Sequence, residues 1–259
     1  MLTTREQPSE DAQARRDLLR ALEPRRLLTD AGLVPDAHQL AVLESDARRQ
    51  LLCWTRQAGK STCAAALALH RAIYRPGSLS LLVAPAQRQS AELFRKVLDL
   101  HHGMEGLERP ALESALRLEL RNRSRIIALP ASESTIRGYS NPDLVVIDEA
   151  AFLGDSTVAA LLPAMARGSG TLMCVSTPNG RSGWFYEAWH NDDQWEKSFI
   201  TWKDVPHIRE ENVQFYRKVQ GEMAYRQEFL CEFLDQGEAV FPSAVIDEAF
   251  DDSVEAWAI

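Results

Sequence analysis

Trp54-Thr55-Arg56-Gln57-Ala58-Gly59-Lys60-Ser61-Thr62 joins a short apolar, strand-like run (Leu51 to Trp54) to a helical stretch beginning at Ser61 (STCAAALALHRAIY). A strand, a tight turn and a helix N-terminus are the context a phosphate-binding loop requires, because helix-start N–H groups and the helix dipole both favour an anion. Gly59 lets the backbone approach phosphate oxygens, Lys60 reaches the β and γ positions, Ser61 is placed to ligate Mg²⁺, and Thr62 supports the α-phosphate. The general pattern GxxxxGK[ST] has a glycine where this chain has Trp54, and a GKS at a helix start also arises by chance.

The acidic pair decides between these readings. Leu144-Val145-Val146-Ile147 is an apolar strand ending in Asp148-Glu149, so that one carboxylate can hold Mg²⁺ while the other polarises an attacking water. A third strand, Leu172 to Ser176, ends in Ser176-Thr177-Pro178. Those hydroxyls sense the γ-phosphate if this strand neighbours the acidic one; otherwise they form an ordinary Ser/Thr/Pro turn.

Further strand-like runs at Leu79 to Ala84 and Arg125 to Leu129 alternate with helical stretches, notably Gln87 to Leu100. The expected fold class is therefore α/β: a P-loop NTPase of the ASCE type, with a largely parallel central sheet flanked by helices and a small helical lid. Residues 1–34 read as a helical preface forming part of the lid, with apolar residues at helical spacing from Asp11 to Leu28 and a stop at Gly32. Residues 35–205 form the ATPase core. Residues 206–259 read as a helical lid or linker (EENVQFYRKVQ, then MAYRQEFLCEFL) closed by an acidic stretch of Asp247, Glu248, Asp251, Asp252 and Glu255.

Composition narrows the classes. Formal charge is −8 from 29 basic and 37 acidic residues, so nucleic-acid contact has to come from a local patch. Arg121, Arg123 and Arg125, in a basic turn between two strands, are the candidate DNA contacts, with simple solvation as the alternative. The four cysteines form no CxxC pair, no apolar run approaches the ~20 residues of a membrane helix, and the polar N-terminus lacks a signal-peptide core. A reduced, cytoplasmic, soluble protein is expected.

Several blocks in one order resemble the large subunits of tailed-phage and herpesvirus terminases: Arg56-Gln57-Ala58-Gly59-Lys60-Ser61, APAQRQSAE (84–92), TIRGYSNPDLVVIDEAAF (135–152), STPNGRSGWFYEAW (176–189) and RQEFLCEFLD (226–235). The resemblance implies a Mg²⁺-dependent ATPase that drives double-stranded DNA into a procapsid in the host cytoplasm. It assigns Arg56 through Thr62 to ATP, Ser61 and Asp148 to the metal, Glu149 to catalysis, and Ser176 and Thr177 to coupling. Pro35-Asp36-Ala37-His38-Gln39 is similar to the family's adenine-recognition element, with Gln39 offering a donor and an acceptor; a solvated helix residue is the alternative. Arg56 and Arg137 compete for the transition-state role, and Arg137 is at a position similar to one presented to a neighbouring subunit.

Implied partners are DNA, a portal protein, a small terminase subunit, and further copies in a homo-oligomeric ring on the procapsid, the isolated chain being a monomer. The family's nuclease domain has no counterpart after Phe241-Pro242, so no DNA cleavage is expected from this chain. Two alternatives share the motifs: a superfamily-2-like helicase or remodelling ATPase, and a nucleotide-gated structural assembly module.

Overall fold

The computed structural model describes residues 10–132, 138–166 and 168–235. Arg137 and the acidic stretch 247–255 lie outside the described residues. Among the described residues, eight strands form one sheet: β1 (Arg49–Trp54), β2 (Leu79–Ala84), β3 (Leu112–Glu113), β4 (Arg117–Glu119), β5 (Arg125–Pro130), β6 (Leu144–Asp148), β7 (Thr171–Ser176) and β8 (Glu196–Ile200), in the order β3-β4-β5-β2-β6-β7-β1-β8. From β5 to β8 every pairing is parallel; β3 and β4 add an antiparallel edge.

The apolar strand runs are continuous because both faces are covered. Leu52, Trp54, Leu82, Ile126, Val146 and Val175 point into one core, and Leu51, Cys53, Leu81, Ile127, Val145 and Cys174 into the other. The helices are α1 (Glu10–Leu22), α2 (Arg26–Thr29), α3 (Ala37–Leu43), α4 (Lys60–Tyr74), α5 (Gln87–Gly103), α6 (Asp155–Met165), α7 (Trp184–Asn191), α8 (Glu210–Gln220) and α9 (Glu222–Phe229). The first core is filled by α4 and α5, with Leu27 and Leu28 of α2 packed into it, and the second by residues of α6 and α7. Helices α8 and α9 meet around a separate small cluster of Val213, Tyr225 and Phe229.

Two helical expectations are corrected. The N-terminal helix does not run unbroken to Leu28: it ends at Leu22, since Pro24 disfavours the helical conformation of the residue before it and supplies no N–H, and resumes at Arg26. The last helix stops at Phe229, and at Cys231 the chain takes a left-handed turn (φ 55°). It stops because the following residues dock on the sheet: Cys231 Sγ donates to Ile200 O of β8, and Phe233 packs among Phe185, Tyr186, Trp189 and His190 of α7.

Candidate nucleotide-binding site

The order β6-β7-β1 brings three loops together at the C-terminal edge of the parallel strands, where open α/β sheets bind their ligands. Residues 55–59 follow β1, Asp148 ends β6, and Ser176 ends the strand between them. Asp148 pairs in register with Val175 of β7, and Ser176 with Cys53 of β1. The expected adjacency of the Ser176-Thr177 hydroxyls to the acidic strand is therefore observed. Ser176 Oγ accepts from Ala151 N (3.1 Å), and Asn179 Nδ2 donates to Ala151 O (3.2 Å), which ties the turn after the acidic pair to the end of β7. Thr177 is buried beside it.

The loop is built as the residues require. Gln57 and Gly59 take positive φ (62° and 81°), and Gly59 is the N-cap of α4. A side chain at Gly59 would also collide with the Gln39 amide. The departure at Trp54 has a plain cause: this residue is the last of β1 rather than part of the turn, so it needs no glycine conformation. Its ring is fully buried, Nε1 donates to Ser198 Oγ (2.9 Å), and His38 meets it edge-on at 4.7 Å. Trp54→Gly, which would restore the general pattern, should therefore cost at least about 3–5 kcal/mol, read as a lower urea midpoint. An unchanged midpoint would show that the ring contributes nothing to packing.

Lys60 is buried, and its ammonium donates to Trp54 O (2.7 Å) and Thr55 O (3.1 Å). Burial holds its pKa below the ordinary lysine value, while the Glu149 and Asp148 carboxylates pull it back up. Ser61 Oγ donates to Asp148 Oδ2 (3.3 Å), and Asp148 Oδ1 accepts from Glu149 N (3.1 Å). Burial raises the pKa of Asp148 against the opposing pull of Lys60. Glu149 sits in the left-handed region (φ 52°, ψ 44°), a strained placement typical of functional turns. Its pKa is raised first by burial, with Lys60 opposing and Asp148 adding to the rise. Thr62 opens the helix, its N–H donating to Gly59 O (3.0 Å).

The raised pKa of Asp148 gives a signed prediction. Between the ordinary carboxylate value and the raised one, the folded state keeps a proton that the unfolded state has released, so this group lowers stability as pH rises through that window. Above it the penalty is constant. Asp148→Asn, without nucleotide or Mg²⁺, should unfold at a higher temperature than wild type at pH 8, and the gap should close as pH falls to about 4. A lower midpoint for the variant at pH 8 would show that pairing outweighs desolvation.

Arg56 is paired with α9 and its charge still reaches Glu149, whose carboxylate it favours. Its Nε lies 3.0 Å from Glu228 Oε2 on α9, while its backbone N–H (3.2 Å) and the Thr55 hydroxyl (3.0 Å) both donate to Glu228 O. Gln39 is buried rather than solvated: Oε1 accepts from Asp36 N (2.9 Å) and Nε2 donates to Ala58 O (3.1 Å). Arg121 and Arg123 are exposed and Arg125 half-buried in the β4–β5 turn, which lies at the opposite edge of the sheet from the nucleotide loop. Sequence reasoning missed three residues that the fold brings to the loop: His38, Glu228 and His207. His38 and Glu228 fall inside stretches that carry the family resemblance but had no role of their own there, whereas His207 carries no local signal.

A glycine-lysine-serine loop between strand and helix, a serine hydroxyl in contact with the aspartate of the acidic strand, and a neighbouring glutamate, with one strand between the loop strand and the acidic strand, define a P-loop NTPase of the ASCE type. The comparisons with known proteins make the class specific. Residues 52–247 match the family described as terminase large subunit, T4-like-virus type, N-terminal. The chain belongs to this family and corresponds to its ATPase domain. It is 28% identical to the terminase large subunit of Thermus virus P23-45, over 81% of this chain and 51% of that protein. It thus spans about half the length of the curated relatives it matches. The large terminase ATPase domain of Thermus phage P74-26 superposes with a TM-score of 0.70 at 26% identity, over 89% of this chain and 100% of that one. The large terminase of the thermophilic bacteriophage D6E, solved with ADP, shares the fold (TM-score 0.61, 14% identity, 77% of this chain and 54% of that one). No described helix is long and apolar enough to cross a membrane.

Proposed function

We propose that this chain hydrolyses ATP with Mg²⁺ and that the work drives double-stranded DNA into a viral procapsid. The observation that carries the reading is the convergence of Lys60, Ser61, Asp148 and Glu149 at the end of one strand trio. The Ser61 hydroxyl and Asp148 carboxylate, 3.3 Å apart, are hard oxygen donors suited to Mg²⁺, which takes its remaining ligands from phosphate and water. Held by Ser61 and Asp148, the metal would supply charge neutralisation for the phosphate oxygens. Lys60 exchanges its two carbonyl partners for phosphate oxygens, Glu149 accepts the proton of the attacking water, and Ser176 and Thr177 pass the state of the site to the turn at Ala151. The D6E terminase, whose fold this chain shares, was solved in complex with ADP. Phosphate release from ATP by the chain, strictly dependent on Mg²⁺, is the expected result; no turnover with or without added duplex DNA would leave a nucleotide-gated assembly module.

We further propose the division of labour in the ring. Helices α8 and α9 act as the lid, with Arg56 linking them to the loop through Glu228, and Gln39 serves the nucleotide site from α3. Arg137 acts on a neighbouring subunit's site. Mixing Arg137→Ala with Glu149→Gln protein should then restore part of the turnover that each lacks; no complementation, under conditions in which the ring forms, would place the arginine's action in cis. Arg121, Arg123 and Arg125, at the opposite edge, are the proposed DNA contacts. The portal, the small subunit and a host-cytoplasmic setting complete the reading.

A further inference from the structure

A phosphate loop turns its N–H groups inward, so its carbonyls must face outward and find donors elsewhere. Here the two carbonyls preceding Gly59 are met by side chains from separate elements. Ala58 O lies 3.1 Å from His38 Nε2 and 3.1 Å from Gln39 Nε2, both on α3. Gln57 O lies 3.0 Å from Nε2 of His207, in the segment leading into α8. A carbonyl can only accept, so both imidazoles carry their proton on Nε2. His207 Nδ1 faces Asp36 Oδ2 at 3.6 Å, and Asp36 is the N-cap of α3. The brace therefore links α3, the loop and the approach to α8.

We propose that His38 and His207 are positioning residues for nucleotide binding, acting through the orientation of the Gln57–Ala58 and Ala58–Gly59 peptides; this rests on the nucleotide-site reading above. In a planar trans peptide the C=O and the next N–H point in opposite directions. Fixing Ala58 O outward thus aims the Gly59 N–H inward, and among the described residues no group accepts from that N–H. Gln57 and Gly59 both hold positive φ, a conformation that relaxes readily at Gln57 once its carbonyl loses a partner. The brace stores the binding geometry before the ligand arrives. Its second consequence is mechanical: rotation of the Gln57 peptide pulls on His207 and so on the base of α8.

The test separates donor from ring. In His38→Phe the ring against Trp54 remains and the donor is lost; in His38→Gln the donor is kept and the ring is lost. His207→Ala and His207→Gln repeat the contrast at a half-exposed site. With the fluescent probe mant-ADP and Mg²⁺, His38→Phe and His207→Ala should each bind about three- to tenfold more weakly, and the Gln variants should stay within about twofold of wild type. KM for ATP should rise by more than kcat falls. Thermal midpoints without nucleotide should be unchanged for both His207 variants. Wild-type affinity in His38→Phe and His207→Ala, or Gln variants as weak as these, would overturn the proposal. Lys60→Ala serves as the control: if it binds mant-ADP as wild type does, the nucleotide-site reading itself fails, and the brace with it.

Discussion

Glu149→Gln should lower ATP turnover by about 10²- to 10⁴-fold, the contribution expected of a positioned general base, while leaving nucleotide affinity near that of wild type. The substitution keeps the volume of a half-buried side chain, and an amide tolerates the left-handed backbone at this position as well as a carboxylate does. It also removes a carboxylate whose charge is disfavoured by burial and by Asp148, so the fold should not suffer. Single-turnover phosphate release, with binding measured in parallel, separates chemistry from affinity. Turnover close to wild type would remove Glu149 from the chemical step.

Lys60→Ala should abolish binding as well as turnover. Charge-assisted hydrogen bonds to phosphate are each worth about 1.5–3 kcal/mol, so losing two predicts an affinity lower by about 10²- to 10⁴-fold. Lys60→Arg should fail almost as badly. The ammonium is held between Trp54 O and Thr55 O in a buried slot, and a planar guanidinium is too large for that slot and cannot make the same two bonds. Titration of mant-ADP into each variant is the measurement, and an arginine variant that binds normally would mean the lysine acts only as a diffuse positive charge.

Much of this was legible in the sequence because it is local. The five apolar runs that became β1, β2, β5, β6 and β7 are buried on both faces, and burial of that kind writes itself as uninterrupted hydrophobicity. Asp148, Glu149, Lys60 and Ser61 each stand at the junction of two regular elements, where their spacing can be read directly. β8 was not legible. It is an edge strand, Glu196 to Ile200, whose charged and half-exposed residues carry no apolar run, and its existence depends on β1 being there to pair with. The end of α9 was hidden for a similar reason, since helical spacing continues through Leu234 while the contacts that stop the helix come from β8 and α7. His38, His207 and Glu228 serve the loop only through tertiary contacts, across up to 173 positions in the case of Thr55 and Glu228.

The site also explains why its residues are poor choices for stability. A desolvated lysine, two carboxylates with raised pKa and two non-glycine residues in the left-handed region (Gln57, Glu149) sit together at one edge of an otherwise well-packed sheet. Each is unfavourable alone, and such concentrations are characteristic of functional sites.

The most direct test of the central claim is a crystal structure of the chain with Mg²⁺, ADP and a planar γ-phosphate mimic. The expected result is a nucleotide whose phosphates lie on the N–H groups of Gly59 to Thr62, with Lys60 Nζ moved from Trp54 O and Thr55 O onto phosphate oxygens, Mg²⁺ between Ser61 and Asp148, and Glu149 facing the mimic. A nucleotide bound elsewhere, or Lys60 still on its two carbonyls with the phosphates in place, would contradict it.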